Sequence, residues 1–223
     1  MTASSQRAFI FDMDGTIVDN MAFHTKSWLA FFERRGQTLD ADEFFRTTAG
    51  RQGHEIMSTY MGSHLTKEES AALDFEKESL YRELYGPHLA AVDGFVDFIA
   101  RAKADGIKLA VATAAPTANI DFTLDGLDLR KEFHAIAGAA DVARGKPFPD
   151  VFLKAAEQLG VAPADCIVFE DAPMGVEAAR RAGMRAVVIT TTLPAEAFAE
   201  FDNVIRVVRD YADVSVDALL VGL

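Results

Sequence analysis

Ala8-Phe9-Ile10-Phe11-Asp12-Met13-Asp14-Gly15-Thr16 joins an unbroken apolar run to two carboxylates and a turn. A short apolar run bounded by turn residues reads as a buried strand. A buried parallel strand should not end in paired acids without a compensating cation, because like charges repel and each is costly to remove from water. Gly15 then allows a backbone conformation that most residues resist. The arrangement suits a divalent cation and an anionic substrate meeting at a strand end.

Downstream of about Asp93, strand and helix patterns alternate, the signature of βα units on a parallel sheet. Phe95, Phe98, Ile99 and Ala102 share a helical face that stops near Gly106. Strands are expected at Lys108 to Thr113, Ala135 to Ala137, Cys166 to Phe169, Ala186 to Thr190 and Val204 to Val208. Helices are expected from Pro116, around Phe152 to Leu159, and from Pro173 to Ala182. With the strand at Ala8 this predicts an α/β fold, a doubly wound and mainly parallel Rossmann-like sheet.

Met21 to Val92 breaks the rhythm and offers no convincing strand. Thr25, Trp28, Leu29 and Phe32 share a helical face ended by Gly36, and Thr47-Thr48-Ala49 has a loop-like composition. Thr66-Lys67-Glu68-Glu69 has the spacing of a capping box that opens a long helix toward Tyr85. The expected organisation is an α/β core from residues 1–20 and 93–223, with an all-helical domain at 21–92 inserted after the first strand. An insert leaving the sheet there should hang over the strand ends, where open α/β sheets bind ligands.

The formal charge of −12 argues against nucleic acid or an anionic membrane as partner. Cys166 is the single cysteine, so neither an intrachain disulfide nor a thiolate metal cluster can form, and its apolar setting suits a core thiol. Met1 to Arg7 lacks the apolar stretch of a secretory signal, and no run is long enough to span a membrane. The expectation is a cytoplasmic protein, a monomer or weak homodimer, acting on a small molecule.

Further polar residues fall at strand ends. Thr113 could hold phosphate oxygens with its hydroxyl, or simply cap the helix that follows. Lys146 lies in a loop stiffened by Pro147 and Pro149; it could be solvated surface, and Gly145-Lys146 is not a P-loop because Pro147 replaces the required Ser or Thr. Glu170-Asp171 ends another apolar run. Asp171 could be a helix cap, but a cap explains one acid, not four at the ends of two strands. Hard oxygen ligands of this kind suit Mg²⁺.

These motifs, in this order, resemble the haloacid dehalogenase superfamily, and most closely its β-phosphoglucomutase-like branch, over nearly the whole chain. Asp12-Met13-Asp14-Gly15-Thr16 is similar to the first family motif, Thr113 to the second, Lys146-Pro147 to the third and Glu170-Asp171 to the fourth. The resemblance implies that Asp12 is a nucleophile forming an aspartyl phosphate and Asp14 the general acid and base. It further implies that Lys146 and Thr113 stabilise the phosphoryl oxygens. Asp12, the Asp14 carbonyl, Asp171 and Glu170 (directly or through water) would bind Mg²⁺. The helical insert resembles the family's small cap, in which His24 and Trp28 would face the substrate, whereas the residues by themselves read Trp28 as core of the insert and His24 as surface. Gly50, Arg51, His54 and Ala114 complete the expected substrate contacts.

Two departures from the mutase branch stand out. Ala49 replaces a lysine of the cap loop, and Ala114-Ala115-Pro116-Thr117 replaces a polar stretch that helps hold a second phosphate. Both favour hydrolysis of a small phosphorylated metabolite, a sugar phosphate, over isomerisation. A hydrolytic dehalogenase would have no use for Asp14, Glu170 and Asp171 together. A phospho-accepting receiver domain would need neither Asp14 nor a helical insert.

Overall fold

β1 (Ala8–Phe11) occupies the middle of a parallel sheet, completely buried between helices on both faces. The computed structural model describes residues 6–48, 53–62 and 65–221, apart from the side chains of Phe45, His54 and Lys67. After β1 come α1 (Met21–Glu33), α2 (Ala41–Thr48), α3 (Gly53–Met61), α4 (Lys67–Tyr85) and α5 (Phe95–Ala104). Then follow β2 (Lys108–Ala112), α6 (Thr117–Gly126), β3 (Ala135–Ala137), α7 (Asp150–Leu159) and β4 (Cys166–Glu170). The chain ends with α8 (Pro173–Arg181), β5 (Arg185–Ile189), β6 (Val204–Val208) and α9 (Val216–Leu220). Two units result: Met1–Asp19 with Ala90–Leu223, and Asn20–Leu89. Against the expected junctions at 20/21 and 92/93, the chain thus crosses between units at 19/20 and 89/90.

The described strands pair in the order β3-β2-β1-β4-β5-β6, all parallel, as in a doubly wound fold. Three strands differ from expectation at their ends. β2 stops at Ala112; Thr113 still donates its N–H to the Ala137 carbonyl at 3.0 Å, while its hydroxyl accepts from the Ala115 N–H at 3.1 Å. β4 continues through Glu170, which keeps a partner, Val188, in β5. β5 runs from Arg185 to Ile189, one residue earlier than expected, since Arg185 already pairs with Ile167.

Side-chain alternation divides the core by face. Phe9 and Phe11 meet Phe95, Phe98, Phe169 and Tyr211 in a cluster of ring contacts. On the other face Ala8, Ile10, Ala110, Ala112, Ala186 and Val188 pack against Phe152, Ala155 and Ala156 of α7 and Val176 and Ala179 of α8. Small strand residues here let the helices sit close to the sheet. Cys166 belongs to this core, and burial, with the Asp165 charge adding, pushes its thiol up to about 12, so it is an inert packing group.

The second unit has its own core of Trp28, Phe31, Phe32, Phe44, Ile56, Met57 and Leu80. Thr66 and Glu69 close the capping box at the start of α4 as the spacing predicts. Thr47 and Thr48, read from composition as loop, instead form the last turn of α2. Their hydroxyls donate back to the Glu43 and Phe44 carbonyls at 2.8 and 2.6 Å, which satisfies them without leaving the helix. No helix among the described residues is long and apolar enough to cross a membrane.

Candidate active site

Phe11 pairs with Phe169 between β1 and β4, and the Asp12 N–H continues the ladder to the Phe169 carbonyl at 3.0 Å. One residue beyond that pair, Asp12 and Glu170 therefore stand side by side on the sheet face opposite the two rings. Parallel strands end at a common edge, so acids far apart in sequence become neighbours. Lys146 enters from the loop before α7, across a cis Lys146–Pro147 peptide. Its ammonium donates to Asp12 Oδ1 and to Glu170 Oε1, each at 2.6 Å, and lies 4.8 Å from the centre of the Phe152 ring.

Glu170 has no idle oxygen. While Oε1 takes Lys146, Oε2 accepts from the Asp171 and Ala172 N–H groups, each at 2.9 Å. These bonds fix the turn into α8 and aim Asp171. Asp171 is not the cap of that helix, as it could have been from sequence; the cap position is Ala172, and Pro173 makes a side-chain cap unnecessary by removing one donor. Asp171 Oδ1 instead lies 3.5 Å from the Thr16 hydroxyl. Gly15, at φ +79°, leaves room for it: a Cβ there would fall 2.0 Å from Asp171 Oδ2.

One ligand oxygen from each of Asp12, Glu170 and Asp171 lies within 4.8 Å of the others, all three residues being buried. Burial pushes the Asp12 carboxyl up to about 7; Glu170 and Asp14 add to this, and Lys146 opposes it. Asp171 is raised in the same way, by burial and then by the charges of Glu170 and Asp12. Burial alone would discharge Lys146, but the two carboxylates more than reverse that and hold it protonated. With all three ionised, the carboxylates outweigh the one ammonium by two negative charges, which one divalent cation would balance. An all-oxygen donor set matches a hard ion such as Mg²⁺.

Asp14 is half-buried in the turn after Asp12, where the Gly15 N–H bonds the Val18 carbonyl at 2.7 Å. Thr113 is buried at the same sheet edge, its N–H bonded to the Ala137 carbonyl at 3.0 Å. It is not a helix cap, since Pro116 holds that position for α6. Its hydroxyl accepts from the Ala115 N–H and keeps its own proton to donate. Ala114 is exposed beside it.

In the helical unit, His24 stacks on Tyr81 with centroids 3.9 Å apart, and its Nδ1 is 3.0 Å from Lys77 Nζ. Trp28 is 6% exposed and packs on Phe32, with the Lys77 ammonium 4.9 Å from the centre of its ring. Trp28 is thus part of its unit's core. His54 lies in α3, while Gly50 and Arg51 fall outside the described residues.

Lys77 and Glu78 escaped the sequence reading. Lys77 is 2% exposed and bonds Glu78 at 2.6 Å. Within Glu76-Lys77-Glu78 it looks like one more solvated charge. The available signal was its position on α4, with Leu73, Leu80 and Tyr81 at i−4, i+3 and i+4.

Known proteins share this arrangement of sequence and fold. Residues 6–183 match the sequence model of haloacid dehalogenase-like hydrolases. A validoxylamine A 7'-phosphate phosphatase of Streptomyces hygroscopicus subsp. limoneus is 33% identical over 201 residues, covering 88% of this chain and 92% of the relative. A fructose-1-phosphate phosphatase of Escherichia coli is 34% identical over 178 residues, covering 80% and 93%. Among solved structures, a β-phosphoglucomutase from Clostridium difficile superposes with a TM-score of 0.82 at 25% identity, covering 96% of this chain and 95% of the other.

Proposed function

The chain belongs to the haloacid dehalogenase-like hydrolases, and on that footing we propose that it is a Mg²⁺-dependent phosphatase of small sugar phosphates. The observation that carries this is the buried junction of Asp12, Lys146, Glu170 and Asp171 at one sheet edge, beside the turn that bears Asp14. Two related phosphatases, one of them for fructose-1-phosphate, support the substrate class.

Asp12 Oδ attacks phosphorus and the ester P–O bond breaks, while Asp14 gives its proton to the departing oxygen. Water then attacks the aspartyl phosphate, Asp14 takes the water's proton, and the P–Oδ bond breaks to release inorganic phosphate. Lys146 counters the burial that would keep Asp12 protonated and inert, and Thr113 donates its hydroxyl to a phosphoryl oxygen. Asp12, Asp171 and the Asp14 carbonyl would hold Mg²⁺, with Glu170 reaching it through water because both of its oxygens are engaged. Bound there, the ion supplies neutralising charge to the phosphoryl group.

Hydrolysis is favoured over a mutase reaction at Ala114 and Ala115. Neither offers a polar side chain, and the Ala115 N–H is taken by Thr113, so these two positions offer little to a second phosphate. The test is phosphate release from a panel of phosphorylated sugars and nucleotides, with Mg²⁺ and with chelator. Turnover should need Mg²⁺ but no sugar bisphosphate activator, and Asp12→Asn should abolish it in a folded protein. Near-normal activity in Asp12→Asn, or isomerisation that requires a bisphosphate, would overturn the proposal.

A further inference from the structure

Two hydroxyl groups from the far end of the chain grip the turn that carries Asp14. Thr191, just beyond β5, donates to the Gly15 carbonyl, and Tyr211, in the segment after β6, donates to the Thr16 carbonyl at 3.3 Å. Gly15 and Thr16 are both buried and lie outside any strand. Their carbonyls therefore need donors from elsewhere. Local ties complete the turn, from the Gly15 N–H to the Val18 carbonyl and from the Thr16, Ile17 and Val18 N–H groups to the Met13 carbonyl.

The donors are themselves well fixed. Tyr211 is fully buried, and its ring contacts Phe11, Phe95, Phe98 and Phe169. Its N–H bonds the Asp93 carbonyl at 2.9 Å. Thr191 is anchored through its neighbour Thr190, whose N–H bonds the Val208 carbonyl at 2.9 Å. The Gly15–Thr16 and Thr16–Ile17 peptide planes, the second and third after Asp14, are thus held by separate parts of the rigid core.

We propose that Thr191 and Tyr211 are positioning residues for Asp14, holding the second and third peptide planes after it and so limiting rotation of the turn that aims its carboxyl toward the leaving-group oxygen. This rests on the phosphatase reading above. Neither hydroxyl touches the reacting atoms; each acts through the backbone of Gly15 and Thr16. Loss of either should let the turn rotate and misdirect the proton delivered to the leaving group.

The experiment compares kcat/KM for two esters in wild type, Thr191→Val, Thr191→Ser, Tyr211→Phe and the Thr191→Val/Tyr211→Phe double variant. One ester is an alkyl sugar phosphate, whose leaving oxygen must be protonated. The other is p-nitrophenyl phosphate, whose leaving group departs without that help. Circular dichroism and thermal melts establish folding, and both single changes nearly conserve volume. Thr191→Val and Tyr211→Phe should each lower kcat/KM for the alkyl ester by about tenfold or more while the aryl ester loses less than about threefold. Thr191→Ser should restore most of the difference. Equal losses on both esters, or none, would overturn the assignment. If Tyr211→Phe fails to fold, the two Thr191 variants decide the matter alone. A wild type that releases phosphate from neither ester would overturn the phosphatase reading itself, and this assignment with it.

Discussion

Gly175 leaves the space that the Glu170 carboxylate fills: a Cβ at Gly175 would fall 1.7 Å from Glu170 Oε1. The first turn of α8 is thereby shaped around an acid that touches Lys146 on one side and two backbone N–H groups on the other. Gly175→Ala should push Glu170 off at least one of these partners. Displacing such supporting groups lowers metal affinity or activity by about 10–100-fold. Titration calorimetry with Mg²⁺, alongside kcat on the best substrate, checks this. An unchanged Mg²⁺ affinity and kcat would mean that Glu170 does not support the site.

Removing Lys146 should be costly even before catalysis is measured. Lys146→Met leaves Asp12 and Glu170 buried without their ammonium, and breaking a buried pair in this way costs about 3–5 kcal/mol. Because the carboxyls can escape by protonating, the loss should be smaller at acid pH. Urea unfolding at two pH values tests both statements, and turnover should be lost at either.

Mg²⁺ should stabilise the protein more at alkaline than at acid pH. Burial raises Asp12 to about 7, and Asp171 moves in the same direction. A carboxyl raised in the folded state binds its proton more tightly there, so its contribution favours folding at low pH. That contribution is lost as pH climbs from the unfolded value, about 4, through the folded one. Metal-free protein should therefore weaken across that window, and Mg²⁺, which binds the ionised carboxylates, should restore the loss. Thermal melts with Mg²⁺ or chelator at about pH 5 and about pH 8 decide it; equal gains at both would contradict the charge balance described for the site.

Trp28 should behave as a core residue. Trp28→Ala is expected to cost about 3–5 kcal/mol, the usual loss for a buried large aromatic. It is the only tryptophan in the chain, so fluorescence of the wild-type protein reports the helical unit directly. Urea unfolding followed by circular dichroism gives the cost; a loss under about 1 kcal/mol would show that the indole contributes little packing.

The chain announced its architecture through local patterns. Apolar runs of strand length, helical faces between them and glycines at the breaks place the six strands to within a residue or so. The same patterns set Met21 to Val92 apart as helical, because period and turn chemistry are properties of neighbours in sequence. Asp12, Asp14, Thr113, Lys146, Glu170 and Asp171 could be picked out because each interrupts such a pattern at a strand end or loop. Where local composition was ambiguous, as at Thr47 and Thr48, helix back-bonding and the packing of Phe44 won.

Tertiary structure alone decided who meets whom. The register of Phe11 with Phe169 brings Asp12 beside Glu170, and only then is Lys146 seen to bridge them. The full engagement of Glu170, the burial of Lys77 and the grip of Thr191 and Tyr211 on the Asp14 turn all join residues distant in sequence. Such contacts follow from strand register and side-chain packing, which periodicity along the chain does not encode.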